Sequence, residues 1–154
     1  MPSPTRARKR PTVLIADDHP VLRLSVREDL EQAGFLVCAE TASADDAVDA
    51  ALREEPDLCL LDVSMPGGGL HAAAEIATRL PATRVVMLTA HASEELVLEA
   101  VRAGADGYLL KDDHPSRLPI ALEDVLAGIP AFPRRLSRPL VEAARSALRP
   151  PEPA

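Results

Sequence analysis

Aromatic side chains are almost missing from this 154-residue chain, which has no tryptophan, one tyrosine and two phenylalanines. So sparse a set leaves no stacking platform for single-stranded nucleic acid. Cysteine is as scarce. Cys38 and Cys59 each stand alone in an apolar stretch, which reads as small core residues rather than a disulfide or a metal site. No apolar run approaches the roughly 18 residues needed to cross a bilayer, and "MPSPTRARKRP" lacks the apolar segment of a secretory signal. The expectation is a cytoplasmic protein with no membrane partner.

Charge is present but unevenly spread. The chain has 17 basic and 24 acidic residues, and only two of the basic ones, Lys9 and Lys111, are lysines. Residues 1–10 hold Arg6, Arg8, Lys9 and Arg10 with no acid, and residues 129–154 hold five arginines against Glu142 and Glu152. That leaves 8 basic and 22 acidic residues for 11–128, a net of −14. Such a segment repels DNA, so direct nucleic-acid binding by it is not expected. The basic, proline-rich ends read as a disordered arm (1–10) and a linker (129–154), with a sixth helix over "LSRPLVEAARSALR", 136–149.

Between the ends, short apolar runs alternate with helical patterns. The runs are "TVLIA" (12–16), "FLVCAE" (35–40), "DLCLL" (57–61), "RVVML" (84–88) and "DGYLL" (106–110). Three are continuously apolar, as parallel strands covered on both faces are. The helical segments carry recognisable ends: Pro20 and Gly34 for the first, Ser43 and Pro56 for the second, Pro81 beyond the third, Ser93 and Gly104 for the fourth. The fifth spans about Ser116 to Gly128, with Pro119 in its first turn. Five βα units in a row predict a doubly wound parallel sheet, helices on both faces.

In such sheets, sites form at the carboxyl ends of the strands. Those ends deliver Asp17 and Asp18, then Asp62, Thr89 and Lys111. Each has a plain structural reading: the aspartate pair as a helix cap, Asp62 as a turn residue, Thr89 as a strand end, Lys111 as a solvated charge. Taken together, the five point to chemistry. Three carboxylates at close range repel one another unless a cation is present, and all-oxygen ligands with open positions suit Mg2+ beside phosphate. Asp62 is then a nucleophile that forms an acyl phosphate, while Lys111 and Thr89 bind phosphoryl oxygens.

The segments "VLIADDHPVLR", "DLCLLDVSMPGGGL", "RVVMLTAH" and "AGADGYLLKD" resemble the receiver domain of bacterial two-component response regulators over roughly 11–128. "DDHP" with "GADGYLLKD" is most similar to the NarL/FixJ subfamily, whose members usually carry a LuxR-type helix-turn-helix. The resemblance implies a flavodoxin-like three-layer sandwich with strand order 2-1-3-4-5, the order of a chemotaxis receiver. It implies Asp62 as phosphoacceptor and Asp17 and Asp18 as holders of Mg2+ or Mn2+, Asp18 more directly, with the Ser64 backbone carbonyl completing the ligands. It implies Lys111 as basic partner, Thr89 as switch hydroxyl, and Tyr108 as a ring that turns inward when Thr89 moves. Ser64 and His91 fall where receivers tune dephosphorylation; His91 reads equally well as a surface residue. The implied partners are a sensor histidine kinase, a second copy of the chain on phosphorylation, and DNA only through an output domain that follows the linker; a truncated regulator is the expectation.

The sequence departs from the pattern in places. Asp112 stands where many receivers have proline after the lysine, which makes a cis bond there costly. Gly67, Gly68 and Gly69 suggest a loose loop after the acceptor. His19 and His114 each precede a proline at a helix start, and His71 reads as a solvent-facing residue. Two other classes share parts of the signal. A phosphohydrolase of the haloacid-dehalogenase type uses an aspartyl nucleophile, but places a second acid where this chain has Ser64. A pseudo-receiver binds partners by shape alone, but typically lacks an acid or the lysine retained here.

Overall fold

The computed structural model describes residues 10–90, 93–111 and 117–133. Five strands alternate with five helices: β1 (Thr12–Ala16), α1 (Pro20–Gln32), β2 (Leu36–Thr41), α2 (Ala44–Glu54), β3 (Leu58–Asp62), α3 (Gly69–Arg79), β4 (Arg84–Thr89), α4 (Glu94–Ala103), β5 (Gly107–Leu110) and α5 (Arg117–Leu126). The strands form one parallel sheet in the order β2-β1-β3-β4-β5, the order the resemblance implied. The first-strand reading is reproduced without change, and the others shift by a residue. Phe35 falls outside β2 because its amide closes the turn onto the Leu30 carbonyl (3.0 Å) while its ring is buried.

Strand side chains alternate between two faces, and each face feeds its own core. Leu14, Cys59, Leu61, Val85, Met87 and Tyr108 pack with alanines of α2 and α3 and with Ile76, Val97 and Ala100. Val13, Ile15, Leu58, Leu60, Val86 and Leu88 pack with Val26 and Leu30 of α1 and Leu122 and Val125 of α5. The result is three layers, with β3 buried on both faces along its whole length. Each fully buried leucine or valine contributes about 1.5–3 kcal/mol relative to exposure. Truncating one of the buried leucines to alanine costs ~2–5 kcal/mol.

The helix ends follow the sequence signals. Ser43 and Ser93 accept from the amides of Asp46 (3.2 Å) and Leu96 (3.0 Å), each satisfying one orphan donor. Gly104 ends α4 in the left-handed conformation (φ +102°). Cys59 is buried and Cys38 half-buried, both as free thiols, and burial pushes the Cys59 thiol up to about 12.

Two places differ from the sequence reading. The triple glycine is not a loose loop. The Gly68 amide bonds the Met65 carbonyl (2.9 Å), the Gly69 amide bonds the Val63 carbonyl (3.0 Å), and the Ala44 amide bonds the Pro66 carbonyl (2.8 Å). Glycine is required by proximity: a Cβ on Gly69 would lie 2.0 Å from the Asp62 carbonyl oxygen, and one on Gly67 would lie 2.9 Å from the Ala44 Cβ. The second difference follows α5. Ala131 pairs with Gly107 at the outer edge of β5, accepting from the Tyr108 amide (2.8 Å) and donating to the Asp106 carbonyl (3.2 Å), and Phe132 packs against the α2–α4 core. The residues just beyond 128 therefore belong to the packed body. Of the arm expected over 1–10, only Arg10 is described, and it donates to the Gly34 (3.2 Å) and Phe35 (2.7 Å) carbonyls; residues 1–9 and the helix expected over 136–149 lie outside the described residues. Among the described residues, no helix is long and apolar enough to cross a membrane.

Candidate functional site

Parallel order places the carboxyl ends of β1, β3, β4 and β5 side by side, and this is where the predicted residues meet. Asp17 and Asp18 leave β1, Asp62 is the last residue of β3, Thr89 the last of β4, and Lys111 follows β5 directly. The Lys111 ammonium lies 3.1 Å from Asp17 Oδ2 and 3.2 Å from Asp62 Oδ1. Its backbone is fixed by a bond from its amide to the Thr89 carbonyl (2.8 Å). The lysine is therefore no solvated charge: its side chain is only 12 % exposed.

Asp62 is 1 % exposed, an extreme for a carboxylate at the end of an apolar run. Its two oxygens have different surroundings. Oδ1 faces Lys111 and receives long, weak approaches from the Ser64 amide (3.4 Å) and hydroxyl (3.5 Å). Oδ2 is buried with no hydrogen-bond partner, as is Asp18 Oδ1. Oxygens left so in a native site call for a ligand. The turn-residue reading of Asp62 thus accounts for only one of its oxygens, and weakly.

Asp17 is positioned from several sides. The His19 amide donates to its Oδ1 (2.9 Å), Arg23 donates to its carbonyl (2.6 Å), and its own amide bonds the Thr41 carbonyl (3.0 Å). Neither aspartate caps α1. The N-cap is His19, whose side chain makes no capping bond. That ring instead turns into the acidic cluster, with Nδ1 2.9 Å from Asp17 Oδ1, 3.2 Å from Asp18 Oδ1 and 3.9 Å from Asp62 Oδ2. Ligand atoms of Asp17, Asp18, His19 and Asp62 all fall within 4.8 Å of one another. His19 is the residue that the sequence reading missed at the site, because a histidine before proline looks like part of a helix start. The available signal was its adjacency to the aspartate pair.

Three carboxylates against one lysine leave the cluster with two negative charges in excess, with orphaned oxygens facing inward. A divalent oxygen-seeking cation fits both the charge and the donors. Thr89 is buried (2 % exposed), and its side chain hydrogen-bonds the Tyr108 phenol. Burial pushes that phenol above its ordinary value, the Thr89 bond opposes the rise, and Glu99 adds to it. Tyr108 is 0 % exposed, so the ring described by the resemblance as turning inward is already inside. His91 and Asp112 lie outside the described residues.

The response regulator receiver domain model matches residues 13–123. The chain is 39 % identical over 122 residues to the uncharacterized transcriptional regulatory protein YxjL of Bacillus subtilis strain 168, covering 78 % of this chain and 56 % of that protein. It is 38 % identical over 119 residues to the nitrate/nitrite response regulator protein NarL of Escherichia coli K12, covering 76 % and 55 %. Among solved structures, a LuxR-family two-component response regulator from Aurantimonas sp. SI85-9A1 superposes with a TM-score of 0.77 at 31 % identity, covering 90 % of this chain and 97 % of that one. The signal receiver domain of a NarL response regulator from Mycobacterium tuberculosis gives 0.74 at 32 %, covering 77 % and 98 %. The chain spans about half the length of the curated relatives it matches. On this likeness and the arrangement of its strand ends, the chain belongs to the response regulator receiver domain family, within the NarL/FixJ group.

Proposed function

We propose that Asp62 accepts a phosphoryl group from the phosphohistidine of a sensor histidine kinase, and that this modification switches the chain. The supporting observation is the buried Asp62 carboxylate, with one oxygen held by Lys111 and the other without a partner beside Asp17 and Asp18. Asp62 Oδ1 attacks phosphorus, the phosphorus–nitrogen bond of the donor breaks, and the electron pair returns to the leaving imidazole. Lys111, its backbone held at Thr89, neutralises charge on the transferring oxygens. Asp17, Asp18, Asp62 and the Ser64 carbonyl would hold Mg2+, which would supply further neutralisation when bound.

Thr89 then turns its hydroxyl from the phenol of Tyr108 toward a phosphoryl oxygen. Because Tyr108 is already buried, the signal lies in exchange of that hydroxyl partner and the repacking it forces on the face of α4, β5 and α5. A bias of a few kcal/mol is enough to shift such an equilibrium. Val21 (83 % exposed) and Leu24 on α1 offer apolar surface beside the site for the donor kinase. Residues 11–128 act as the receiver, with Ala131 and Phe132 docked against it, and the stretch that follows them to 154 acts as the tether to a LuxR-type DNA-binding output, with phosphorylation favouring a homodimer. Ser64, and His91 beyond the described residues, tune how long the phosphoryl group survives.

Incubation with acetyl phosphate and Mg2+ followed by mass spectrometry tests the reading. The intact chain should gain one phosphoryl group and Asp62→Asn none. Equal gain by both would remove Asp62 as the acceptor.

A further inference from the structure

His19 lies within the cluster by construction of the chain. Pro20 occupies the first position of α1 and restricts the residue before it to extended backbone. His19 adopts that conformation (φ −102°, ψ 101°), and its amide is tied to Asp17 Oδ1. With the backbone held at both sides, the imidazole is presented across the mouth of the pocket, Nδ1 inward and the rest of the ring 61 % exposed. The nitrogen completes a ring of four donors whose other members include the unpartnered Oδ2 of Asp62, on a side chain 1 % exposed, and the unpartnered Oδ1 of Asp18. Cation–oxygen and cation–nitrogen bonds of ~2.1 Å bring opposite ligands to about 4.2 Å, so the 4.8 Å spread closes with a shift of about half an ångström.

We infer that His19 is a fourth protein side-chain ligand of the cation site, and that its Nδ1 biases the site toward later first-row divalent cations over Mg2+. The inference rests on the cation-dependent reading proposed above and deepens it. An all-oxygen set favours Mg2+ and Mn2+, whereas imidazole strengthens binding of Co2+ and Ni2+ along the Irving–Williams order and adds little for Mg2+. In that role His19 Nδ1 would give up its contact with Asp17 Oδ1 and face the cation instead.

Calorimetric titration of the full chain with Mg2+, Mn2+ and Co2+ measures the bias, and pulsed electron paramagnetic resonance of the Mn2+ form reads the ligand atom. The expected result is a 14N coupling in the parent chain that persists in His71→Ala and disappears in His19→Ala. The Co2+-to-Mg2+ affinity ratio should fall at least roughly tenfold in His19→Ala, the scale on which even outer partners of metal sites matter, with Mg2+ affinity nearly unchanged. Because the His19 side chain makes no capping bond, this variant should keep its fold, which circular dichroism verifies. An unchanged ratio, or no nitrogen coupling in the parent, overturns the assignment and leaves His19 as an anchor for Asp17. Asp17→Asn and Asp18→Asn should weaken all three cations; if neither does, the cation site itself fails, independently of His19.

Discussion

β3 has an aspartate at each end, and the two are used in opposite ways. Asp57, just before the strand, is exposed and engaged through Oδ2 and its own backbone amide. Its Oδ2 accepts from the Thr12 amide (2.8 Å) and hydroxyl (3.2 Å), and its own amide donates to the Thr12 hydroxyl (2.9 Å). Nearby, Thr83 bonds the Pro56 carbonyl (2.8 Å), and Asp106 accepts from the Val85 amide (2.9 Å) while facing Arg84 (3.6 Å). Every one of these polar groups closes a strand start. At the other end Asp62 is buried and half-satisfied, and Asp18 also leaves an oxygen orphaned. The same residue type therefore acts as a clasp at one rim and as an open coordination and reaction site at the other. Partnering, rather than burial alone, separates the two roles.

The contrast can be broken by substitution at either rim. The largest effect should come from Lys111→Met, which strands Asp17 and Asp62. We expect acetyl phosphate labelling to slow by roughly 10²-fold or more, and stability in chelator to fall by about 3 kcal/mol, much of it recovered on adding Mg2+. Denaturant curves with and without the cation read this; a loss indifferent to Mg2+ would mean that the site does not balance its charge as described. Next is Gly69→Ala, whose Cβ would meet the Asp62 carbonyl oxygen at 2.0 Å. It should cost ~1–3 kcal/mol or more and reduce labelling too, because α3 and the acceptor strand must separate. The smallest effect belongs to Asp57→Ala, at about 1 kcal/mol of stability, with the labelling rate kept within about a factor of two. A large labelling defect there would erase the difference between the rims.

The sequence makes most of the fold legible because its signals are local. Ser43, Ser93 and Gly104 mark helix ends by chemistry that acts within a few residues, and continuous apolar runs declare strands buried on both faces. Asp17, Asp18, Asp62, Thr89 and Lys111 are equally legible, since each ends or follows a strand. What escapes depends on distant partners. The packing of Gly67 and Gly69 depends on Ala44 and on a backbone carbonyl of β3, which no spacing rule reveals. The turn of His19 onto its neighbours Asp17 and Asp18 also carries it to 3.9 Å from a carboxylate of β3, more than forty residues on. The inward ring of Tyr108 depends on packing among β4, β5 and the helices over them. Fold patterns follow from periodicity; these details follow from contact.

The Ala131 bridge has a bearing on how copies of this chain can meet. An unpaired sheet edge is a template on which another strand can add. At β5 the Tyr108 amide and the Asp106 carbonyl are already taken up by the chain's own Ala131. At these two groups the rim has no free backbone bond to offer, so a strand adding there would first have to displace Ala131.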